Sequence, residues 1–577
     1  MTGKREPARD WRSRVRDGLR RRGGQTEIQR AGSKPGAPQT GRAAQGRITP
    51  GPSPRGTTRR RGLARLGRGA FLALLGVATT VFLVRGARAR ARQLGGRLAA
   101  VASRAGRPLS VPARRARESR LAAGAGRVTE VLRNPRGALG AAVRAGPPRP
   151  FRPSAFRSPL RGPWLTAVLG VVLLGGLTVM AVTGLLSYAS YDPRLGSNDQ
   201  TPGAHLLKFY LFSWPTGPDW LYRVNQGVHV TLGLVLVPIL LAKLWSVLPK
   251  LFEWPPVRNP AYALERLSLF LLVGGAVFEF ATGILNIQQW YVFPGSFYRL
   301  HFYGAWVFIA GFVVHVSLKT PRMVRALRSR SLREELRTDT AHTVPEPPDE
   351  EHLVSPAPAV PTISRRGALA FAGAGSLLLL ALSVGQSLGG PLRRTALLAP
   401  HGQDLGSGPA DFQINVTAAE GGITAGDTGP GWRLTLTREG TAQSGPDRTE
   451  PGQGEPVSLS RAQLLAMPQY TAHLPIACVE GWSTGNQAWT GVRLRDLARL
   501  AGAAQPASVL VESLERGGTF RQAVLSAAQI TNPDSLLALH VNGAELTLDH
   551  GYPARVIVPA IPGVHNTKWV TRLTFRS

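Results

Sequence analysis

The chain of 577 residues carries 70 Lys and Arg against 34 Asp and Glu, a formal net charge of +36. Hydrophobic residues make up 43% of it, which excludes a wholly disordered polycation. The single cysteine excludes an intrachain disulfide and any CxxC metal site, and the length exceeds that of one domain. The composition is therefore that of a multi-domain protein outside the disulfide-stapled secreted class.

The positive charge is concentrated at the N-terminus, where residues 1–150 hold 35 Lys and Arg against 6 Asp and Glu. Such a segment buries too little apolar surface to offset its ordering entropy, so we predict a basic, low-complexity, largely disordered cytoplasmic segment. Its apolar run at 69–84 has 16 residues and is flanked by Arg. That length and those flanks favour a helix lying on anionic lipid over a membrane span.

Five apolar runs follow, each about long enough to cross ~30 Å of hydrocarbon. They are 164–188, 224–248, 267–287, 301–318 and 369–388. Seven basic residues between 319 and 337 crowd the end of the fourth run, which places that end in the cytoplasm. We therefore predict a multi-pass protein of the bacterial plasma membrane, with a cytoplasmic N-terminus and an extracytoplasmic C-terminal domain.

Histidines within these runs indicate a functional site, because an imidazole in hydrocarbon is costly. His229 lies near the outer end of the second run, and His301 begins the fourth run at the same end. Two antiparallel helices thus offer imidazoles at one depth, as bis-histidine ligation of haem iron requires. His315 follows His301 by 14 residues, on the same helix face and about 21 Å away. In the second run, the residue 14 positions after His229 is Lys243 and not a histidine. For each of the three histidines, the alternative to haem ligation is a hydrogen bond between helices.

Residues 160–320, within a predicted membrane domain of 151–320, resemble the four-helix di-haem cytochrome b family that includes cytochrome b561 and the formate dehydrogenase gamma subunit. The resemblance rests on one histidine in the second run and a His-x13-His pair in the fourth. It implies that His229 and His301 ligate one haem b. The family's partner for the inner histidine is absent from RGPWLTA (161–167), so a second haem at His315 stays open.

Residues 321–366 are predicted to form a cytoplasmic linker, rich in Pro and acidic residues. The linker ends in Arg365 and Arg366, directly before a predicted fifth span at 367–390. The pair resembles a twin-arginine translocation signal, which implies export of a folded, cofactor-loaded domain. The ordinary positive flank of a membrane span is the alternative.

Residues 395–577 change character, since alternating apolar and polar residues predict strands there. The predicted strands are 432–438, 508–514, 544–548, 555–559 and 569–575. The predicted helices are 459–468, with Ser460 as a candidate N-cap, and 493–502. The expected fold class is multi-domain: a transmembrane four-helix bundle plus a fifth span, followed by an α+β, β-rich outer domain.

The segment LPIACVEGWSTGNQAWTGVRLRDL (474–497) resembles the sulfite oxidase family of molybdopterin-dependent oxidoreductases, close to the periplasmic methionine sulfoxide reductase catalytic subunit branch. The block LDHGYPARVIVPAIPGVHNTKW (548–569) supports this resemblance. By position, the family implies that Cys478 is the catalytic residue and molybdenum ligand. A thiolate suits this metal, and one is enough because the pterin supplies the other sulfurs. The residues implied to contact the pterin cofactor are His550, Arg555 and Lys568, with Asn415 and Ser513 as weaker matches.

One departure concerns the substrate. Relatives often carry an Asn-Arg pair where this chain has Ala560 and Ile561, so the resemblance does not carry over a substrate.

Together these features predict a membrane-bound molybdenum-dependent oxidoreductase. Haem b would connect the membrane quinone pool to an outer molybdenum centre, which moves one oxygen atom to or from a small oxo acceptor or donor. Sulfoxide-type reduction and sulfite-type oxidation both fit. Two alternatives stay open: a membrane cytochrome b with a non-catalytic outer sensing or binding domain, and a nucleic-acid or anionic-lipid binding protein acting through residues 1–150. Because most of the charge lies in that segment, we expect no nucleic-acid partner for the rest of the chain.

Overall fold

The computed structural model describes residues 155–201, 212–254, 258–292, 295–399, 408–439, 455–518 and 520–576. The predictions made for residues 1–150, including the interfacial helix at 69–84, lie outside the described residues.

The apolar runs form long helices at the predicted places. Four described helices, one of them running through a short break to Leu388, are long and apolar enough to cross a membrane, and a bent pair makes a fifth candidate. The helices of this part are α1 (Pro163–Ser190), α2 (Leu221–Val235), α3 (Val237–Leu251), α4 (Pro260–Ile287), α5 (Phe297–Arg328), α6 (Leu332–Glu335), α7 (Arg365–Ala381) and α8 (Val384–Leu388).

The second apolar run is not one straight helix, which the sequence pattern did not predict. Helices α2 and α3 meet at Leu236 with a bend of 43°. Pro238 stands in the first turn of α3, where it cannot donate a backbone hydrogen bond and its ring crowds the preceding turn. Proline therefore accounts for the bend.

The bundle is held by an apolar centre and by close helix contacts. Its buried centre includes Leu177 of α1, Leu240 of α3 and Phe308 of α5. Helices α4 and α5 approach closely at two glycines, because a Cβ on Gly275 would lie 3.0 Å from Phe308 and one on Gly311 would lie 2.9 Å from a backbone nitrogen of α4. Small residues at such crossings allow the backbones to approach, as is common between membrane helices.

The acidic linker packs against one end of this bundle. The backbone nitrogen of Trp164, at the start of α1, donates to Glu346 at 2.9 Å. Arg365, which is 1% exposed, pairs with Glu335 at 3.3 Å, whereas Arg366 is exposed. The first arginine of the twin-arginine pair thus joins the linker to the start of α7.

The outer domain consists of two five-stranded sheets with a shared core. Its strands are β1 (Arg433–Glu439), β2 (Val457–Ser460), β3 (Tyr470–Ala477), β4 (Ser483–Arg493), β5 (Ser508–Ser513), β6 (Gln522–Ser526), β7 (Leu536–Val541), β8 (Ala544–Glu545), β9 (Arg555–Ile557) and β10 (Val570–Arg576). One sheet has the order β2-β1-β10-β5-β6, and the other has the order β3-β4-β7-β8 with β9 also paired to β7. Fully buried residues of both sheets, such as Val511 and Leu537, form one core. The prediction of an α+β, β-rich domain is confirmed.

Local predictions in this domain differ in accuracy. Ser460 caps α9 (Arg461–Leu465) in a reciprocal capping box with Gln463, as the sequence predicts. Helices α10 (Leu494–Leu500) and α11 (Ala527–Thr531) complete the domain. The strand predicted at 544–548 was too long, because pairing with β7 ends at Glu545 and a turn follows.

The outer domain packs against the end of the bundle that carries the loop after α1. Asn198 of that loop is 2% exposed. Its side chain pairs with the edge strand β6 as the backbone of a neighbouring strand would. Its side-chain amide donates to the carbonyl of Val524 at 2.8 Å and its oxygen accepts from the backbone nitrogen of Val524 at 2.9 Å. Trp214 donates its indole N–H to the carbonyl of Ala560 at 2.6 Å. Polar, directional contacts therefore fix how the domain sits on the helices.

We expect Asn198→Ala to loosen this attachment by about 1–3 kcal/mol, since it leaves buried backbone groups of β6 unpaired. Thermal unfolding and protease sensitivity of the full chain measure the effect. Ser197→Ala, an exposed neighbour, is the matched control. Equal stability of the two variants would contradict the assigned role of Asn198.

Candidate functional site

Cys478 lies in the tight turn that joins β3 to β4. Its backbone nitrogen donates to the carbonyl of Trp482, and the nitrogen of Gly481 donates to the carbonyl of Cys478, both at 3.0 Å. Gly481 has φ +86°, and a Cβ there would lie 2.6 Å from Val230 of α2. Glycine is thus required twice, for the left-handed turn and for the close approach of this turn to the bundle.

The thiol of Cys478 is buried, being 4% exposed. Burial raises the pKa of Cys478 well above its ordinary value, and the negative charge of Glu480 adds to the increase. The indole N–H of Trp482 donates to Glu480 at 2.8 Å, which fixes that carboxylate beside the turn. A sulfur so placed is a thiol in the free protein, and a bound cation would favour its thiolate form.

Three basic residues from the second motif lie together below the surface: His550, Arg555 and Lys568 are 1%, 4% and 8% exposed. Arg555 donates to the carbonyl of His550 at 3.2 Å, and Lys568 donates to the carbonyl of Asp549 at 3.0 Å and also to that of Val416. Within the described residues, neither cation has a carboxylate at ion-pair distance. The cluster is therefore a buried positive site without a counter-ion.

Burial has the expected effect on these groups. It lowers the pKa of Arg555 to about 9 and the pKa of Lys568 well below its ordinary value. Burial and the charge of Arg555 lower the pKa of His550 to about 4, so this imidazole is neutral at pH 7. Burying a positive charge away from water costs free energy unless an anion pairs with it. Arg555 and Lys568 therefore suit a phosphate-bearing ligand.

Two aromatic rings connect this cluster to Cys478. Phe412 and Trp489 belong to the same buried apolar cluster as the cysteine. The Phe412 ring lies 4.2 Å from that of His550, and the guanidinium of Arg555 lies 5.5 Å from the centre of the Trp489 ring. The structure thus brings the two sequence motifs to one buried region of the domain.

Buried polar atoms without partners identify two residues that the sequence interpretation missed. Both amide atoms of Gln413, the hydroxyl of Thr567 and Nε of Arg555 lack a hydrogen-bond partner among the described residues. Gln413 lies two residues before Asn415, and Thr567 lies next to Lys568. Their closeness in sequence to these two predicted cofactor contacts was the only signal that could have identified them. Orphaned donors and acceptors beside buried cations fit a large polar, anionic group such as molybdopterin.

The two weaker candidates lie at the edge of this region. Ser513 donates its hydroxyl to the carbonyl of Lys568 at 2.8 Å, so it holds the backbone at that lysine. Asn415 is half-buried, directly before Val416, whose carbonyl accepts from Lys568.

A second site lies inside the bundle, where the rings of His229 and His301 have their centres 6.3 Å apart at 85°. Nδ1 of His229 contacts the carbonyl of Met180 at 3.1 Å, and Nδ1 of His301 contacts Glu279 at 3.0 Å. Because a backbone carbonyl only accepts, Nδ1 of His229 carries the proton and its Nε2 has a free lone pair, while Nδ1 of His301 is held by Glu279. The ring separation matches one metal ion between two imidazoles.

Threonines and glycines of the neighbouring helices complete this histidine pair. Thr183 lies 3.1 Å from Nδ1 of His229, and Thr282 lies 2.9 Å from Nδ1 of His301. Each threonine is followed by a glycine that faces the same imidazole, Gly184 in α1 and Gly283 in α4. The repeated Thr-Gly dipeptide was a signal that the sequence interpretation did not use.

His315 does not join this pair, since it lines a separate cavity nearer the linker end of the bundle. Among the described residues there is no group of three or more His, Cys, Asp or Glu that could hold a metal ion. Both the single thiol and the histidine pair therefore suit a metal whose remaining ligands come from an organic cofactor.

The fold and the buried cationic site define the class of the outer domain. Residues 451–577 match the family described as "Oxidoreductase molybdopterin binding domain". This part of the chain is a molybdopterin-binding oxidoreductase domain of the sulfite oxidase type.

The relatives agree on this class. The chain is 34% identical over 120 residues to the uncharacterized oxidoreductase YuiH of Bacillus subtilis, a match that covers 21% of this chain and 59% of that protein. It is 33% identical over 146 residues to mitochondrial sulfite oxidase of Homo sapiens, covering 21% and 27%. A nitrate reductase [NADH] of Volvox carteri is 30% identical over 149 residues, covering 21% and 17%. The chain thus spans less than two thirds of the length of these relatives.

We expect Arg555→Met to separate a ligand-binding role from a structural one. Each charge-assisted hydrogen bond contributes about 1.5–3 kcal/mol, so losing two should weaken cofactor retention by a factor between roughly 100 and 10,000. In full chain made without molybdopterin, the Tm should be unchanged or higher, because the variant removes an unpaired buried charge. Molybdenum content and thermal unfolding are the measurements, with Arg572→Met, 55% exposed, as control. A lower Tm with full molybdenum content would show that Arg555 is structural.

Proposed function

We propose that this protein is a membrane-bound molybdopterin-dependent oxidoreductase that joins a haem b to an outer molybdenum centre within one chain. Electrons pass between the membrane quinone pool and the outer centre through the haem. The outer domain lies on the extracytoplasmic face of a bacterial plasma membrane. The contact between the turn that carries Cys478 and the helix that carries His229 supports this proposal most directly.

In the outer domain, Cys478 supplies the protein ligand to molybdenum. Arg555 and Lys568 would hold the phosphate end of the cofactor, and His550, neutral at pH 7, would exchange its contact with the carbonyl of Phe412, 3.3 Å from Nε2, for a hydrogen bond to the pterin. When bound, the cofactor supplies two-electron oxygen-atom transfer. The chain's own part is to hold the thiolate in place, to exclude bulk water from it, and to compensate the cofactor's negative charge with buried cations.

In the bundle, His229 and His301 would hold the iron of a haem b. Their Nδ1 hydrogen bonds orient both rings and leave Nε2 for the metal, which is how second-shell groups tune such sites. Gly184 and Gly283 leave room beside the imidazoles, since a Cβ at either position would lie 3.0 and 3.7 Å from a ring carbon. The arrangement supports one b-type haem at the outer end.

The two centres are joined through a short stretch of chain. The side-chain amide of Gln226 donates to the carbonyl of Val479 at 2.5 Å, next to Cys478. One turn later in α2, Val230 packs against Gly481, and His229 lies between these two contacts. Gln226 is 3% exposed, so this junction is buried. One buried hydrogen bond and a few residues therefore connect the Cys478 turn to His229.

The orientation of the bundle supports an outer position for the domain. The domain packs on the end with the loop after α1, and the basic residues between 319 and 337 belong to the other end. Basic residues favour the cytoplasmic side. Arg365 and Arg366 begin α7 at that same end, as expected for either an export signal or a positive flank.

The substrate is a small molecule that gains or loses one oxygen atom. Sulfite oxidase and nitrate reductase are the named activities of the relatives, and they run in opposite electron directions. Tyr222 of the bundle packs against Ala477 beside the cysteine. Ala560 and Ile561 are apolar and each 4% exposed. Apolar surroundings at these two residues favour a neutral substrate, such as a sulfoxide, over a doubly charged anion.

Anaerobic difference spectra of membranes containing the full chain test this proposal. We expect candidate sulfoxides or N-oxides to oxidise quinol-reduced haem, or sulfite to reduce oxidised haem. Cys478→Ser should keep the haem absorbance and lose this response by more than about 100-fold, since even second-shell changes cost ~10–100-fold. His229→Ala should lose the b-type absorbance of the outer haem and keep molybdenum. Full response in Cys478→Ser would overturn the proposal.

A further inference from the structure

The bundle contains a second large cavity, at the end away from the outer domain. Its volume is about 230 Å³, against about 200 Å³ for the cavity at His229 and His301. Leu177 and Phe308 line both cavities and mark where they meet. The inner cavity can therefore accept a group as large as the outer one does.

Helix α1 contacts His229 through a carbonyl and a glycine, in addition to the hydroxyl of Thr183. Nδ1 of His229 donates to the carbonyl of Met180 at 3.1 Å, and a Cβ on Gly184 would lie 3.0 Å from the imidazole. The inner cavity repeats this pair of contacts around a lysine, Lys243 of α3.

Lys243 donates to the carbonyl of Thr166 at 2.6 Å, and a Cβ on Gly170 would lie 3.2 Å from its Nζ. Thr166 and Gly170 precede Met180 and Gly184 by 14 residues each. Fourteen residues make nearly four helical turns, so α1 presents the same face twice, about 21 Å apart. Lys243 thus occupies the inner counterpart of the position that His229 occupies in the outer site.

The facing helix repeats in the same way. His315 follows His301 by 14 residues in α5 and lines the inner cavity, as Lys243 does. The carboxylates at the mouth of this cavity are already paired, because Glu265 and Glu351 lie 2.7 and 2.6 Å from Lys319. Among the described residues, Lys243 has no ion pair. An imidazole and an amine therefore lie in the cavity with no carboxylate to hold the amine charged.

We propose that the inner cavity holds a second haem b, with His315 and Lys243 as its axial ligands. Coordination requires the neutral amine, so Nζ gives up one proton to solvent and exchanges its hydrogen bond to Thr166 for the bond to iron. His315 needs a second ligand opposite it, and α1 has no histidine that could serve. Lys243 supplies that ligand. This inference goes beyond the proposed function, which needs only the outer haem.

Haem content and electron paramagnetic resonance of the purified full chain test the inference. We expect two b haems per chain in the wild type, one with a histidine–lysine signal. Lys243→Leu and His315→Leu should each leave one haem. Lys243→His should keep two and convert the inner signal to the bis-histidine type, which guards against variants that merely fail to fold. Val314→Leu, at an exposed position of α5 next to His315, is the matched control and should keep both haems.

The inference is overturned if the wild type holds one haem, or if Lys243→Leu keeps two with an unchanged signal. A single haem together with a quinol defect in the Lys243 variants would assign the cavity to quinone instead, and would also overturn it. The outer site is judged separately: His229→Ala should remove one haem and leave the histidine–lysine signal. If His229→Ala removes none, the proposed outer haem fails, whatever the Lys243 variants show.

Discussion

The close approach of one turn to one helix is the constraint on which the rest of the structure depends. The turn that carries Cys478 meets α2 at Gly481, and no side chain could stand there without displacing Val230. Because the same stretch of α2 carries His229, this contact sets the separation of the thiol and the imidazole. A fusion of two domains by a flexible linker would leave that separation undefined, whereas a buried contact fixes it.

Charge has different meanings in different parts of this chain. The net charge of +36 comes mostly from residues 1–150, outside the motifs of the candidate sites. In the outer domain, a few cations matter because they are buried and unpaired, as at Arg555 and Lys568. Their desolvation weakens the free protein, and an anionic cofactor removes that penalty. The same reasoning underlies our proposal for Lys243 in the bundle. This buried amine has no ion-pair partner among the described residues, and binding a metal in its neutral form would remove the cost of burying its charge.

The sequence predicted some levels of this structure better than others. Long apolar runs and alternating strands depend on local periodicity, so the five helical regions and the β-rich domain could be predicted. The bend at Leu236 and the short pairing of β8 depend on packing, which periodicity does not contain. Motif resemblance found Cys478 and Arg555 but missed Gln413, whose role is visible only as a buried amide without partners. The repeat in α1 likewise needs the contacts of its carbonyls and glycines, because no histidine marks it.

The rate of electron transfer within the chain tests the central claim most directly. Haem-reduced protein mixed rapidly with an oxo-donor substrate should show haem oxidation with a rate constant independent of protein concentration. Gly481→Leu, which displaces the turn from α2, should slow that step by roughly 100-fold, as ångström-scale misplacement does elsewhere, with haem and molybdenum content unchanged. A rate that rises with protein concentration, or one that Gly481→Leu leaves unchanged, would contradict the account.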